Sequence, residues 1–168
     1  MKSLSILKTL INIYYYLMLI AFSIGLITAP ILLLTQKKYD VSFLGNTIDL
    51  TGIAIWKSII ALILIGGILF LYFKSIQLIK NSVNHISKGA YFTEYLAGNF
   101  KKIGKLFIMI GIGATVAKMV ITLLLESQIG FSLDSTLFVF IILGLFFLFL
   151  SEAFEKASQL KKENELTI

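Results

Sequence analysis

The chain contains no cysteine, no arginine, a single histidine and a single proline in its 168 residues. Without cysteine there are no disulfides, thiolate metal sites or thiol nucleophiles. The lone histidine, His85, cannot assemble a multi-histidine metal centre. Charge is scarce as well, at 14% of residues, where an ordinary soluble domain carries about a quarter. No nucleophile stands at a readable spacing from a base, no glycine-rich phosphate loop is present, and no two carboxylates have catalytic spacing. An enzyme is therefore not expected, nor a cofactor nor a bound metal.

In place of those groups the chain carries apolar sequence, 58% of it, gathered into four blocks. Each is long enough to cross a hydrocarbon core, which takes about 20 residues of helix. The blocks cover residues 10–34, 53–73, 103–125 and 136–154. The expected fold is an all-α integral membrane protein, one domain over residues 1–168, with four transmembrane helices in one bundle. The first block follows Lys2 and Lys8 but exceeds the apolar core of a secretory signal, which runs about 7 to 15 residues. It reads as a retained span that Pro30 bends or ends near its far side. Ala21, Gly25 and Ala29 form a small-residue stripe on it, suited to close approach of another helix within one bundle or between two copies. Tyr14, Tyr15 and Tyr16 are expected to anchor at the near interface and to pack between helices.

Between the first two spans, TQKKYDVSFLGNTIDLTG places Gly45-Asn46 as a turn between short alternating segments. Pairing outward from it sets Phe43 against Ile48 and Val41 against Leu50, a small extracytoplasmic β-hairpin whose apolar face would cover the outer end of the bundle. Trp56 anchors the second span, and Lys57 reaches outward along it. Apolar periodicity continues past Phe73 through Ile76, Leu78, Ile79 and Val83, so this helix should project beyond the membrane to Ser87 before Lys88-Gly89 stops it. Thr93 caps the next helix, with Glu94 in its first turn. Residues 74–102 thus read as two helical extensions joined at one turn. In the third span Gly104, Gly111, Gly113 and Ala117 supply small contact positions, of which Gly113 and Ala117 have the four-residue spacing. The fourth span is rich in phenylalanine and should face lipid broadly. A charged, amphipathic tail, residues 155–168, follows.

Lysine placement sets topology. Lys2, Lys8, Lys74, Lys80, Lys88, Lys101, Lys102, Lys105, Lys156, Lys161 and Lys162 fall on one side, and Lys37, Lys38 and Lys57 on the other. By the positive-inside rule both termini and the central segment are cytoplasmic, in a multi-pass protein of the bacterial inner membrane. The lysines flank spans and do not form one dense soluble patch, so direct nucleic-acid binding is not expected.

Lys118 stands inside the third span, where a charge costs a few kcal/mol. It should lie close in depth to Lys57, and the two form a candidate site for an anionic ligand or lipid headgroup. The alternative is that Lys118 snorkels, or pairs with Glu126, Asp134 or Asp49. Near the opposite face, Lys105 and Glu152 are a candidate structural ion pair fixing the registry of the last two spans. His85 reads as a solvated interfacial side chain.

Two stretches, SKGAYFTEYLAGNFKKIG and SEAFEKASQLKKENELTI, resemble a bacterial family of small four-span membrane proteins, domain-of-unknown-function family 2975. Its members show G-x-x-F-[ST]-x-x-N and a basic cluster leading into the third span, and close on L-T-I. Gly89, Phe92, Thr93, Lys101, Lys102, Ile103 and Gly104 match the first pattern, with Asn99 displaced from the usual asparagine position. Glu152, Phe154, Leu160, Asn164, Glu165, Leu166, Thr167 and Ile168 match the second. The family's frequent genetic neighbour, a small helix-turn-helix regulator, implies a membrane partner or anchor for a transcription factor.

The leading expectation is a non-enzymatic membrane regulator that contacts a cytoplasmic protein through Phe92, Thr93, Lys101, Lys102, Leu166, Thr167 and Ile168. One alternative is a small-solute or lipid-handling component built on the Lys57–Lys118 pocket. A further alternative is self-protection against a membrane-active peptide. The bilayer is the certain partner, and homo-oligomers remain open through the stripe on the first span.

Overall fold

A computed structural model describes residues 2–35, 40–43, 46–49, 54–126 and 135–166. Four helices carry the chain: α1 Lys2–Thr35, α2 Ile55–Ser87, α3 Glu94–Glu126 and α4 Ser135–Leu166. Apolar surroundings offer no water to backbone N–H and C=O groups, so these runs satisfy themselves as helices. With 32 to 34 residues apiece, the helices are about 50 Å long, against a hydrocarbon core of about 30 Å. All four are long and apolar enough to cross a membrane. The chain is a multi-pass membrane protein in contact with lipid.

α2 stops where Gly89 takes φ +86°, a left-handed conformation that costs glycine nothing. There the Lys88 and Gly89 N–H groups close on the carbonyls of His85 and Ile86 at 3.2 and 3.0 Å. α3 then begins after Thr93, whose Oγ1 accepts the Leu96 N–H at 3.3 Å and satisfies one of the free donors of a helix start.

α3 is the central element, lying between α2 and α4, while the extensive contacts of α1 are with α2. Leu96, Phe100, Ile103, Phe107 and Ile110 of α3 form the core, closed by Leu71, Leu78 and Ile79 from α2 and by Phe147 and Phe154 from α4. The expected single bundle is therefore three helices sharing a core, with α1 alongside. α1 attaches through rings: Tyr15 and Phe22 stack on Phe73 at 5.2 and 6.0 Å, and the Tyr14 and Tyr72 hydroxyls meet at 2.8 Å.

Backbone approach is closest between α3 and α4. A Cβ at Gly104 would stand 2.7 Å from the Gly144 carbonyl oxygen, and one at Gly144 would stand 2.5 Å from Ile108 Cγ1. Gly111 lies as tightly on Phe140, and Ser151 Oγ donates to the Ala97 carbonyl at 2.8 Å. Ala97, Gly104 and Gly111 face Gly144 and Ser151 at a seven-residue repeat, the period that keeps one seam in contact along a left-handed pair. This corrects the four-residue expectation: Ala117 is buried, but Gly113 has open space beside it.

Three further expectations are revised. Ala21 and Gly25 are exposed and Ala29 is half-buried, and a Cβ at Gly25 would meet nothing within 4 Å, so the stripe on α1 is not a close helix contact at Gly25 within the described chain. Pro30 does not end α1, which continues to Thr35; breaking it in an apolar medium would strand the backbone groups beyond. Strands β1 Asp40–Phe43 and β2 Asn46–Asp49 pair antiparallel with Val41 opposite Ile48 and Phe43 opposite Asn46. That register is two residues from the one expected, and a shift of two preserves the alternation, so hydrophobic pattern alone cannot separate them. Packing of a hairpin on the end of the bundle is not supported, because the extensive contact of each strand is with the other.

Candidate functional site at the basic end

One end of the molecule carries the start of α1, the turn between α2 and α3 and the close of α4. There the buried polar residues gather: Ser75 and Ser82 of α2, Asn99 of α3, Ser151 and Ser158 of α4. Asn99 Nδ2 donates to Ser82 Oγ at 3.2 Å, and Ser82 Oγ donates onward to the Leu78 carbonyl at 2.8 Å. Among the described residues no buried side-chain polar atom lacks a partner. A satisfied buried network of this kind fixes one register between helices. Sequence reading missed it, although the seven-residue repeats Ser75/Ser82 and Ser151/Ser158 were available as a signal.

The turn itself presents aromatic surface. Tyr91, Phe92 and Tyr95 are 43%, 48% and 49% exposed, with Phe92 resting one side of its ring on Phe154 at 5.5 Å. His85 is not merely solvated: its Nε2 lies 3.3 Å from Thr93 Oγ1 and its ring 4.7 Å from that of Tyr95. Thr93 thus joins the cap of α3 to the last turn of α2. Lys162 near the end of α4 pairs with Glu94 at 2.5 Å, and that hydrogen bond, then the charge itself, holds the Glu94 carboxyl below its ordinary 4.5. Lys8 donates to Ser87 Oγ at 3.1 Å, and the Lys80 ammonium sits over the rings of Tyr15 and Tyr16 at 3.8 and 4.5 Å. All four helices are therefore tied together at this end.

Of the sequence-predicted partner surface, Phe92 and Thr93 lie in the turn, and Lys101 and Lys102 are exposed further along α3. Leu166 is the last residue of α4, so residues 155–166 continue that helix; Thr167 and Ile168 lie outside the described residues. Lys105 and Glu152 are not brought together. Both are exposed, and among the described residues no ion pair joins them. The ends of the apolar runs suggest a common depth, whereas register is set by Gly104 on Gly144 and Ala97 on Ser151. Lys105 is consequently level with Leu143, and Glu152 lies more than two turns beyond, roughly 13 Å.

At the other end, Lys57 donates to the Leu124 carbonyl at 2.7 Å and lies 5.8 Å from the Trp56 ring. It supplies a donor to one of the last carbonyls of α3, which have no partner within the helix. Lys118 is half-buried on α3 and is engaged in an interaction of its own. The side chains of Glu126, Asp134 and Asp49, its expected acidic partners, lie outside the described ones. Among the described residues no cluster of three or more His, Asp or Glu could hold a metal.

A family model described as "Protein of unknown function (DUF2975)" matches residues 3–168. No curated protein and no solved structure matches the chain.

Proposed function

The chain belongs to the DUF2975 family, and on that premise we propose that it is a non-enzymatic membrane regulator. Its basic end lies in the cytoplasm and engages a soluble protein, such as a helix-turn-helix transcription factor. The observation that carries this reading is the turn between α2 and α3, where Tyr91, Phe92 and Tyr95 are exposed at the end of a firmly tied group of helices. Exposed aromatic surface on a rigid mount suits protein recognition, because two-torsion side chains bury much area at small entropic cost. Eleven of the fifteen lysines lie at this end, which supports the cytoplasmic orientation. The regulator neighbours implied by the family resemblance supply the partner class.

The test is co-purification of the adjacently encoded DNA-binding protein with the full-length chain from solubilised membranes. Tyr91→Ser combined with Tyr95→Ser should lower recovery at least about tenfold, the loss of two ordinary aromatic hot spots, while leaving membrane insertion and helix content unchanged. Undiminished recovery with the double variant, or no recovery with the parent chain, would sink the reading. The outer Lys57–Lys118 reading is not advanced, since Lys57 is already engaged with Leu124.

A further inference from the structure

Several lysines in this protein have partners within it: Lys8 on Ser87, Lys57 on Leu124, Lys80 on two tyrosines and Lys162 on Glu94. Lys101, Lys102 and Lys105 stand together on α3 without one. All three are exposed, and none forms an ion pair or hydrogen bond among the described residues. On a helix they share one outward stripe, since residues three and four apart are neighbours. The same stripe continues into Met109, Ile112 and Val116, each about half exposed. Along one face of α3, apolar surface thus gives way to three unpaired ammonium groups.

The neighbouring helix makes the depth of that change unusual. By the register of Gly104 on Gly144 and Ser151 on Ala97, the three lysines are level with residues 143–147 of α4, and Phe149 lies beyond them toward the basic end. Leu145, Phe146 and Phe149 are 55%, 52% and 64% exposed, and the first charge on α4 comes later, at Glu152. Two helices in backbone contact therefore place their polar boundaries roughly 10 Å apart along their length. Lysine stems that snorkel toward the polar side cover part of that step. A headgroup drawn in toward the lysines covers the rest, because its phosphate meets the ammonium groups while its acyl chains lie along Met109 to Val116 and the phenylalanines of α4.

We propose that Lys101, Lys102 and Lys105 form a binding site for the phosphate headgroup of an anionic phospholipid, held where the apolar face of α4 extends past them. The contribution of a lysine near an anionic surface is about 1 kcal/mol, so three acting together should give preferences of about a hundredfold, and at least about tenfold after competition from water. The site gives Lys101 and Lys102 to lipid in place of the partner contact expected of them from sequence, and it does not rest on the proposed regulator.

The experiment uses the full-length chain in mild detergent, with phosphatidylglycerol or phosphatidylcholine added and retained lipid counted by native mass spectrometry. The parent chain should retain phosphatidylglycerol at least about tenfold over phosphatidylcholine. K101Q/K102Q/K105Q should abolish the preference, K101R/K102R/K105R should restore it, and the equal charge change K88Q/K156Q/K161Q should leave it intact. Glutamine is a good helix former, and the positions are exposed, so the variants should keep their helix content by circular dichroism. Equal loss in both glutamine triples would show diffuse attraction and overturn the site, as would an unchanged preference in the first. Full displacement of the lipid by inorganic phosphate would mark a small-anion site and overturn it too.

Discussion

Gly104→Ala and Gly113→Ala make one chemical change at two places on α3 and should move stability in opposite directions. At Gly113 the new methyl group meets nothing within 4 Å, so only helix propensity changes, in favour of alanine by about 0.8–1 kcal/mol. At Gly104 it would stand 2.7 Å from the Gly144 carbonyl oxygen, 2.8 Å from Leu148 Cγ and 3.0 Å from Leu148 N. Carbon contacts settle at about 3.5–4.0 Å. The Leu148 side chain can turn aside; the backbone atoms cannot, so α3 and α4 must part by roughly half an ångström or more. Parting them also stretches the Ser151–Ala97 bond, now 2.8 Å. Overpacking of this kind costs about 1–3 kcal/mol and a weakened buried hydrogen bond about 1 kcal/mol. After the propensity gain, a net loss of about 1–3 kcal/mol is expected. The assay is reversible unfolding of the full-length chain from mild micelles with sodium dodecyl sulfate, followed by far-ultraviolet circular dichroism. Gly113→Ala should unfold at or above the parent midpoint and Gly104→Ala clearly below it. Coincident midpoints for the two variants would refute the close-packed seam.

Two other outcomes follow from the basic end. Asn99→Ala leaves Ser82 Oγ without its donor in a buried setting and should cost about 1–3 kcal/mol in the same assay, whereas Asn81→Ala, at an exposed position, should stay within about 0.5 kcal/mol of the parent. The Glu94 carboxyl is held below its ordinary 4.5 by Lys162, so its stabilising contribution is fully present above that value and disappears as pH falls through the lowered one. Because the pair is fully solvated, the effect is small and screened by salt. A stability difference between parent and Glu94→Gln that is flat above pH 4.5 and closes only below it, at low ionic strength, is the expected result; closure at neutral pH would count against the pairing.

The helices, and the stop and start between α2 and α3, were legible because they are written locally. Lys88-Gly89 needs a left-handed residue, and Thr93 needs only to accept one N–H. What could not be read was relative depth. Lys105 and Glu152 each sit near the end of an apolar run, which suggested a common level, but nothing in either run states how α3 and α4 slide against each other. Glycine at positions 104 and 144 decides that. A four-residue spacing favours Gly113, while contact follows a seven-residue repeat. His85 looked solvated because its partners, Thr93 and Tyr95, lie across a turn whose path the sequence does not specify. The hairpin register failed for another reason, since either of two pairings keeps the same residues on the same face.

The attachment of α1 bears on how the protein is made. It is the first of the four helices to emerge from the ribosome, and its extensive neighbour among the described residues, α2, is not yet synthesised. The Thr9 and Ser23 hydroxyls donate to the carbonyls of Ser5 and Leu19 in their own helix, at 3.0 and 2.9 Å, so neither leaves a bare donor facing lipid. α1 thus enters the bilayer ahead of the helix it packs on, with these two hydroxyls already satisfied inside it. The Tyr14, Tyr15 and Tyr16 side chains then receive Tyr72, Phe73 and Lys80 as α2 arrives.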